Sequence, residues 1–111
     1  MASLPKETED KIAELQMMEQ NMQGFLLQKQ SFQSQLVEVE SALSEIGKAP
    51  STYRIIGNIM VAASKEDLKA ELEQKKEMLT LRIKTLEKQE AKLKERASKT
   101  QGEVMEEMKK R

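Results

Sequence analysis

The residues of this chain that could do chemistry are its carboxylates, lysines and arginines, because it contains no His and no Cys. Its 19 acidic and 19 basic residues recur beside one another at helix-surface spacing, which is typical of solvated, ion-paired faces. The four Gly are isolated, so no phosphate-binding loop is indicated, and no residues have metal-ligand spacing. Because the commonest general base and the thiol nucleophile are both missing, we expect no catalytic residue, no metal, no cofactor and no enzymatic activity.

The composition favours long helices over a packed globule. Of the 111 residues, 34% are charged and 3% are aromatic, and Pro and Gly are few, as in chains that form long helices. The charges cancel, so no net field attracts nucleic acid or an anionic membrane. The chain start has no apolar leader, and no apolar run approaches membrane-spanning length. We therefore expect a soluble, cytoplasmic protein that binds neither nucleic acid nor membranes.

A heptad pattern predicts a first helix over residues 5–46. Pro5 suits a first helical turn, Gly47 suits a helix cap, and Pro50 prevents the helix from resuming. Between them, apolar residues recur at alternating steps of three and four, interrupted by Lys29. The apolar positions of this seam are Leu15, Met18, Met22, Phe25, Phe32, Leu36, Val39, Leu43 and Ile46.

A second heptad pattern predicts a helix over residues 65–109, which begins after an N-cap at Ser64. Polar residues interrupt its seam at Lys76, Glu90 and Thr100. The apolar positions of the second seam are Leu72, Leu79, Ile83, Leu86, Leu93, Ala97 and Val104.

The two seams match if the chain folds back at Gly57 and Asn58. Seam positions then face seam positions throughout, as an antiparallel coiled coil requires. Lys29 and Glu90 fall in neighbouring layers, where they either pair across the seam or extend to water.

Two apolar runs flank Gly57-Asn58 in the segment 51–64 and predict one β-hairpin. Gly as the first central residue favours a type II′ turn, because it permits a positive φ. Ile55 then pairs with Met60, and both faces of the hairpin are mostly apolar. A lone hairpin is only marginally stable in water, and its free edges favour pairing with other strands. We therefore expect the hairpin to form half of an interface with another chain. The alternative, a hairpin that packs on this chain's own core, requires a core that the helices do not provide. The residues of this assembly element are Tyr53, Ile55, Ile56, Gly57, Asn58, Ile59, Met60 and Val61.

Several apolar residues near the two chain ends fall outside the seam. Folding back places them at the open end of the coiled coil, and the seam residue Val104 is poorly covered there because it faces Lys11. Met is unbranched and polarisable, which suits a surface that fits many apolar shapes. Either this surface binds unfolded chains or the frayed ends pack on each other, and the pattern leaves both open. We define the terminal apolar set as Leu4, Ile12, Met17, Val104, Met105 and Met108. Further off-seam residues, which contact either clients or neighbours, are Leu26, Leu27, Met78 and Leu81.

The order helix, hairpin, helix, with the motif YRIIGNIMV at 53–61, resembles the prefoldin family, and in particular its archaeal β class. The stretch 79–90 is similar to the second helix of that class. A linker with a single hairpin also fits the β class, because α-class subunits carry two hairpins.

The resemblance implies a hexamer of two α and four β subunits, whose hairpins form a β-barrel body. It implies an ATP-independent chaperone that holds unfolded or nascent proteins at the coiled-coil tips and transfers them to a group II chaperonin. Residues 53–62 would be the assembly element, and the terminal apolar set would bind clients. We therefore expect one prefoldin-like domain over 1–111, mainly α: a long antiparallel two-helix coiled coil with a single β-hairpin at the bend, oligomerising through the hairpin. The alternative is a structural coiled-coil scaffold that oligomerises in this way and binds no client.

Overall fold

The computed structural model describes residues 4–110, which form two long helices and one β-hairpin between them. The elements are helix α1 (Lys6–Ile46), strand β1 (Tyr53–Ile56), strand β2 (Ile59–Ala62) and helix α2 (Lys65–Lys109). The predicted mainly α fold with a single hairpin is therefore confirmed. Residues 1–3 and 111 lie outside the described residues. Residues 1–3 belong to the chain start, which was expected to lack an apolar leader.

Each helix begins with a backbone hydrogen bond to the residue that precedes it, and α2 also has a side-chain cap. In α1, the amide of Glu9 donates a hydrogen bond to the carbonyl of Pro5 at 3.0 Å. In α2, Ser64 is the predicted N-cap: its carbonyl accepts from the amide of Leu68 at 3.0 Å, and its Oγ accepts from the amide of Asp67 at 3.4 Å.

The end of α1 differs from the prediction at Gly47. A glycine cap usually has a positive φ, and among residues 4–110 a positive φ occurs at Gly57 alone. Instead, α1 ends in a tight turn in which the amide of Lys48 donates to the carbonyl of Glu45 at 3.0 Å. This bond satisfies one of the terminal carbonyls, so the glycine cap is not formed in its usual conformation.

Contacts divide the chain into two units, which we describe separately. The first unit contains residues up to Lys29 and from Thr85 onward. Its two helical segments run antiparallel, because Lys11 pairs with Glu103 while Lys29 pairs with Glu90. Its buried side chains are Thr8, Met18, Leu86, Leu93 and Val104. Half-buried seam residues are Leu15, Met22 and Phe25.

The second unit spans Gln30–Lys84 and contains the hairpin. Leu79 is the most deeply buried of its side chains, and the Arg82 guanidinium lies 5.6 Å from the centroid of the Phe32 ring, a cation–π contact. Lys76, at a predicted seam position, is exposed. The other buried side chains of the second unit are Val39, Ile46 and Ile83. Its half-buried seam residues are Phe32, Leu36, Leu43 and Leu72. That residues 1–111 act as one domain stays a prediction.

The hairpin has the predicted register. Its antiparallel pairs are Tyr53 with Ala62, Arg54 with Val61, Ile55 with Met60, and Ile56 with Ile59. Gly57 has a φ of 61°, and the next residue does not have a positive φ, which fits the predicted type II′ turn and excludes type I′. Because paired residues share a face, the hairpin has two faces. The Arg54 face consists of Arg54, Ile56, Ile59 and Val61, and the Met60 face consists of Tyr53, Ile55, Met60 and Ala62.

Candidate interaction surfaces

The hairpin exposes apolar side chains on both of its faces. All strand residues other than Arg54 are exposed, and the sheet formed within residues 4–110 has two strands, so each strand has a free edge. A contiguous apolar patch of this kind is unusual on a monomer, and free edges favour pairing with further strands. The hairpin therefore suits contact with other chains.

The Arg54 face of the hairpin is turned toward the start of α2. The Arg54 guanidinium forms an ion pair with the Glu71 carboxylate. A cleft of about 280 Å³ lies between this face and the helix start, lined by Arg54 and Val61 together with Ser64 and Asp67. The ion pair therefore ties the hairpin to one side of α2.

Hydrogen bonds also fasten the base of the hairpin. The amide of Ala63 donates to the carbonyl of Thr52 at 3.0 Å, and Thr52 Oγ1 donates to the carbonyl of Ala63 at 2.7 Å. Next to this base, Tyr53 lines a cleft of about 490 Å³ whose apolar walls come from both helices and from the loop after α1. The apolar lining residues are Ala42, Ile46, Ala49, Leu68 and Leu72.

The terminal apolar set divides into exposed and covered members. Met17, Met105 and Met108 are exposed, whereas Leu4 and Ile12 are half-buried. The three exposed methionines belong to regular helix, so their side chains are presented to solvent by ordered backbone.

The prediction that Val104 is poorly covered is wrong. Val104 is 7% exposed because the helix pairing continues to this level of the first unit: the Lys11 ammonium reaches Glu103 Oε2 at 3.1 Å, and Thr8 is buried. Thr8 lies seven residues before Leu15 and continues that heptad position. The heptad pattern was built from apolar residues and therefore did not include Thr8, although its seven-residue spacing from Leu15 is visible in the sequence.

Two charged pairs that join the helical segments of the first unit raise the pKa of their lysines. The pKa of Lys11 is raised, chiefly by its hydrogen bond with Glu103, while partial desolvation opposes the shift. The pKa of Lys29 is raised in the same way by Glu90. Lys29 Nζ forms an ion pair with Glu90 Oε1 at 2.8 Å. Lys29 and Glu90 therefore pair across the seam rather than extending to water.

A cleft of about 330 Å³ runs along the seam of the first unit. Leu15, Met18, Met22 and Ala97 form its apolar lining. Another cleft, of about 150 Å³, is lined by Met17, Met18 and Leu93 together with polar residues of both helices. Within residues 4–110, no three acidic side chains come together in a group that could hold a metal ion, and no helix is long and apolar enough to cross a membrane.

Other off-seam apolar residues are exposed along both helices. In the first unit these are Leu26 and Leu27, and in the second they are Val37, Met78 and Leu81. For Leu26, Leu27, Met78 and Leu81, contact with clients or with neighbours stays a prediction.

Comparisons with known proteins agree with this architecture. The chain matches the family model described as prefoldin subunit over residues 9–111. It is 39% identical over 107 residues to the prefoldin subunit beta of Archaeoglobus fulgidus, covering 94% of this chain and 92% of that protein. It is 35% identical over 111 residues to the prefoldin subunit beta of Pyrobaculum neutrophilum, covering 97% and 88%. The crystal structure of the prefoldin beta subunit from Thermococcus strain KS-1 matches with a TM-score of 0.86 and 31% identity, covering 96% of each chain.

Fold and comparisons together define the class, a chaperone subunit built from two long helices and a β-hairpin. The chain belongs to the prefoldin family, and the predicted resemblance to its archaeal β class is confirmed. Membership implies assembly with other prefoldin subunits, and the family is one of chaperones and is not known for enzymatic activity.

Proposed function

We propose that this chain is a β-type subunit of a cytoplasmic, ATP-independent holdase. It assembles through its hairpin with a prefoldin α subunit and further β subunits, two α and four β in all, and the hairpins form a β-barrel body. The terminal apolar set, apart from the buried Val104, binds unfolded or nascent proteins, which the complex transfers to a group II chaperonin. The complex works without a cofactor and binds neither nucleic acid nor membranes.

The exposure of the Met105 and Met108 side chains supports client binding. They are 56% and 54% exposed although they belong to regular helix, so a client can contact them without any unfolding of the subunit. Fully burying one such side chain contributes about 1.5–3 kcal/mol, which is too little for stable capture by one subunit. Several linked subunits that present the same side chains reach useful affinity through avidity.

Replacing both methionines with glutamine tests this role. Gln has similar length and similar helix propensity, so Met105→Gln with Met108→Gln keeps the helix and removes its apolar surface. In complex with a prefoldin α subunit, we expect the variant to require at least about tenfold more protein to suppress aggregation of a chemically unfolded client. Light scattering of the diluted client measures the suppression.

Val37→Gln is the matched control, because Val37 is 64% exposed and lies in the second unit, outside the terminal apolar set. This variant should suppress aggregation as well as the wild type. If the double variant were equally effective, client binding through these residues would be excluded, and the structural-scaffold alternative would gain support.

A further inference from the structure

We propose that Met17, Met105 and Met108 are modification sites, and that their oxidation to methionine sulfoxide by a peroxide turns client binding off. We call these three residues the exposed terminal methionines. The inference rests on the proposed function, because it assigns a redox control to the surface that binds clients. It goes beyond that function by naming a covalent change, the residues that undergo it and the class of oxidant.

Methionine carries all of the sulfur in this chain. The sequence has eight Met, no Cys and no Trp, so no thiol of the subunit competes for the oxidant. Oxidation of a methionine thioether to the sulfoxide is a common oxidative change in proteins. Peroxide that reacts with this subunit under mild conditions therefore reacts with its methionines.

Exposure distinguishes the exposed terminal methionines from those of the seam. Met17 and Met18 are neighbours in α1, yet Met17 is 64% exposed and Met18 is 5% exposed. Met105 and Met108 are also exposed, whereas Met22 is half-buried. Because peroxide reaches the sulfur atom from solvent, we expect the exposed terminal methionines to react before Met18.

Regular helix surrounds each of these sites, so oxidation changes the surface and leaves the fold. Met17 belongs to α1, and Met105 and Met108 belong to α2, where a separation of three residues makes them neighbours on one side of the helix. An exposed side chain has little packing that a sulfoxide could disrupt. Because the sulfoxide is polar, each oxidation removes apolar surface that an unfolded client would bury.

The chemical step transfers one oxygen atom from the peroxide to sulfur. A lone pair of the thioether sulfur attacks one oxygen of hydrogen peroxide, so the S–O bond forms as the O–O bond breaks. Sulfur gives up two electrons, and the leaving hydroxide takes the proton of the transferred oxygen and departs as water. Each peroxide thus yields one sulfoxide and one water, and methionine sulfoxide reductases can reverse the change with electrons from thiols.

Replacement by leucine provides a matched test, because Leu is apolar, resembles Met in size and helix propensity, and contains no sulfur. Complexes with a prefoldin α subunit are prepared from the wild-type chain and from the triple variant Met17→Leu, Met105→Leu, Met108→Leu. Both are treated with hydrogen peroxide, which catalase then removes. Light scattering of a chemically unfolded client measures suppression of aggregation, tandem mass spectrometry locates the sulfoxides, and native mass spectrometry follows assembly.

The treated wild-type complex should lose client binding and keep its assembly. We expect it to require at least about tenfold more protein for the same suppression, with sulfoxide at the exposed terminal methionines while Met18 is still reduced. The treated triple variant should require no more than about twofold more. Methionine sulfoxide reductases with dithiothreitol should restore the wild-type complex.

The untreated complexes separate this inference from the proposed function. If neither untreated complex suppresses aggregation, client binding itself is overturned, and the inference with it. If both suppress aggregation, and the treated wild-type complex still does so with its exposed terminal methionines oxidised, the redox control is overturned while client binding stands. An equal loss in the treated triple variant, or oxidation of Met18 as fast as Met17, would overturn the assignment of the sites.

Discussion

Lys29 and Glu90 place a charged pair inside a mostly apolar seam. Their side chains are 21% and 15% exposed, and Glu90 Oε1 is withdrawn from solvent. Sliding one helix by a heptad would separate the two charges and place the Glu90 carboxylate opposite an apolar seam residue of α1, Met18 or Phe32. The pair therefore favours one register, at some loss of stability relative to an apolar layer.

A double-mutant cycle tests this role in register. Lys29→Met and Glu90→Leu should each lower the Tm, because each leaves an uncompensated charge, whereas the double variant should be more stable than either single variant. Thermal unfolding followed by circular dichroism measures all four proteins. Losses that simply add would show that the two side chains do not interact.

The same pair predicts a dependence on alkaline pH. The folded-state pKa of Lys29 is raised above the ordinary lysine value of 10.5 by Glu90, so its contribution to stability is complete below 10.5 and is lost as the pH rises through the higher folded value. The coupling between the two residues should be constant from pH 7 to about 10 and should decline above that range. Repeating the cycle across this range measures the coupling, and a decline that is complete by pH 9 would contradict the assignment.

At the scale of the elements, the local chemistry of the sequence determined the parts that could be predicted. Gly57-Asn58 between β-branched runs specified the turn and thereby the register of every strand pair, and the heptads specified both helices. Contacts that depend on the reach of long side chains were not predictable from spacing. The Arg54–Glu71 pair and the covering of Val104 beside the Lys11–Glu103 pair are of this kind.

Gly57 and Gly47 provide a matched comparison for the turn. No neighbour lies within 4 Å of a Cβ added at either site, but Gly57 alone of the two has a positive φ. Gly57→Ala should therefore destabilise the hairpin by about 1–2 kcal/mol through backbone strain, whereas Gly47→Ala should be neutral or slightly stabilising. Hydrogen exchange of the strand amides in the assembled complex measures the difference. Equal protection in both variants would contradict the type II′ turn.

At the scale of the whole molecule, the two candidate surfaces belong to different units. The hairpin lies in the second unit, and the exposed methionines near the chain ends lie in the first. In the proposed function, assembly and client binding are therefore carried by separate residues, so each can be removed by substitution while the other is retained. Assembly also has a direct effect on binding, because it multiplies the number of methionine surfaces in one complex.

The mass of the complex formed with a prefoldin α subunit tests the central claim most directly. We expect native mass spectrometry of the co-expressed, purified proteins to give the mass of two α and four β chains. A chain that remains monomeric in the presence of its α subunit, with its hairpin still exposed to solvent, would contradict the proposed assembly and the holdase function that depends on it.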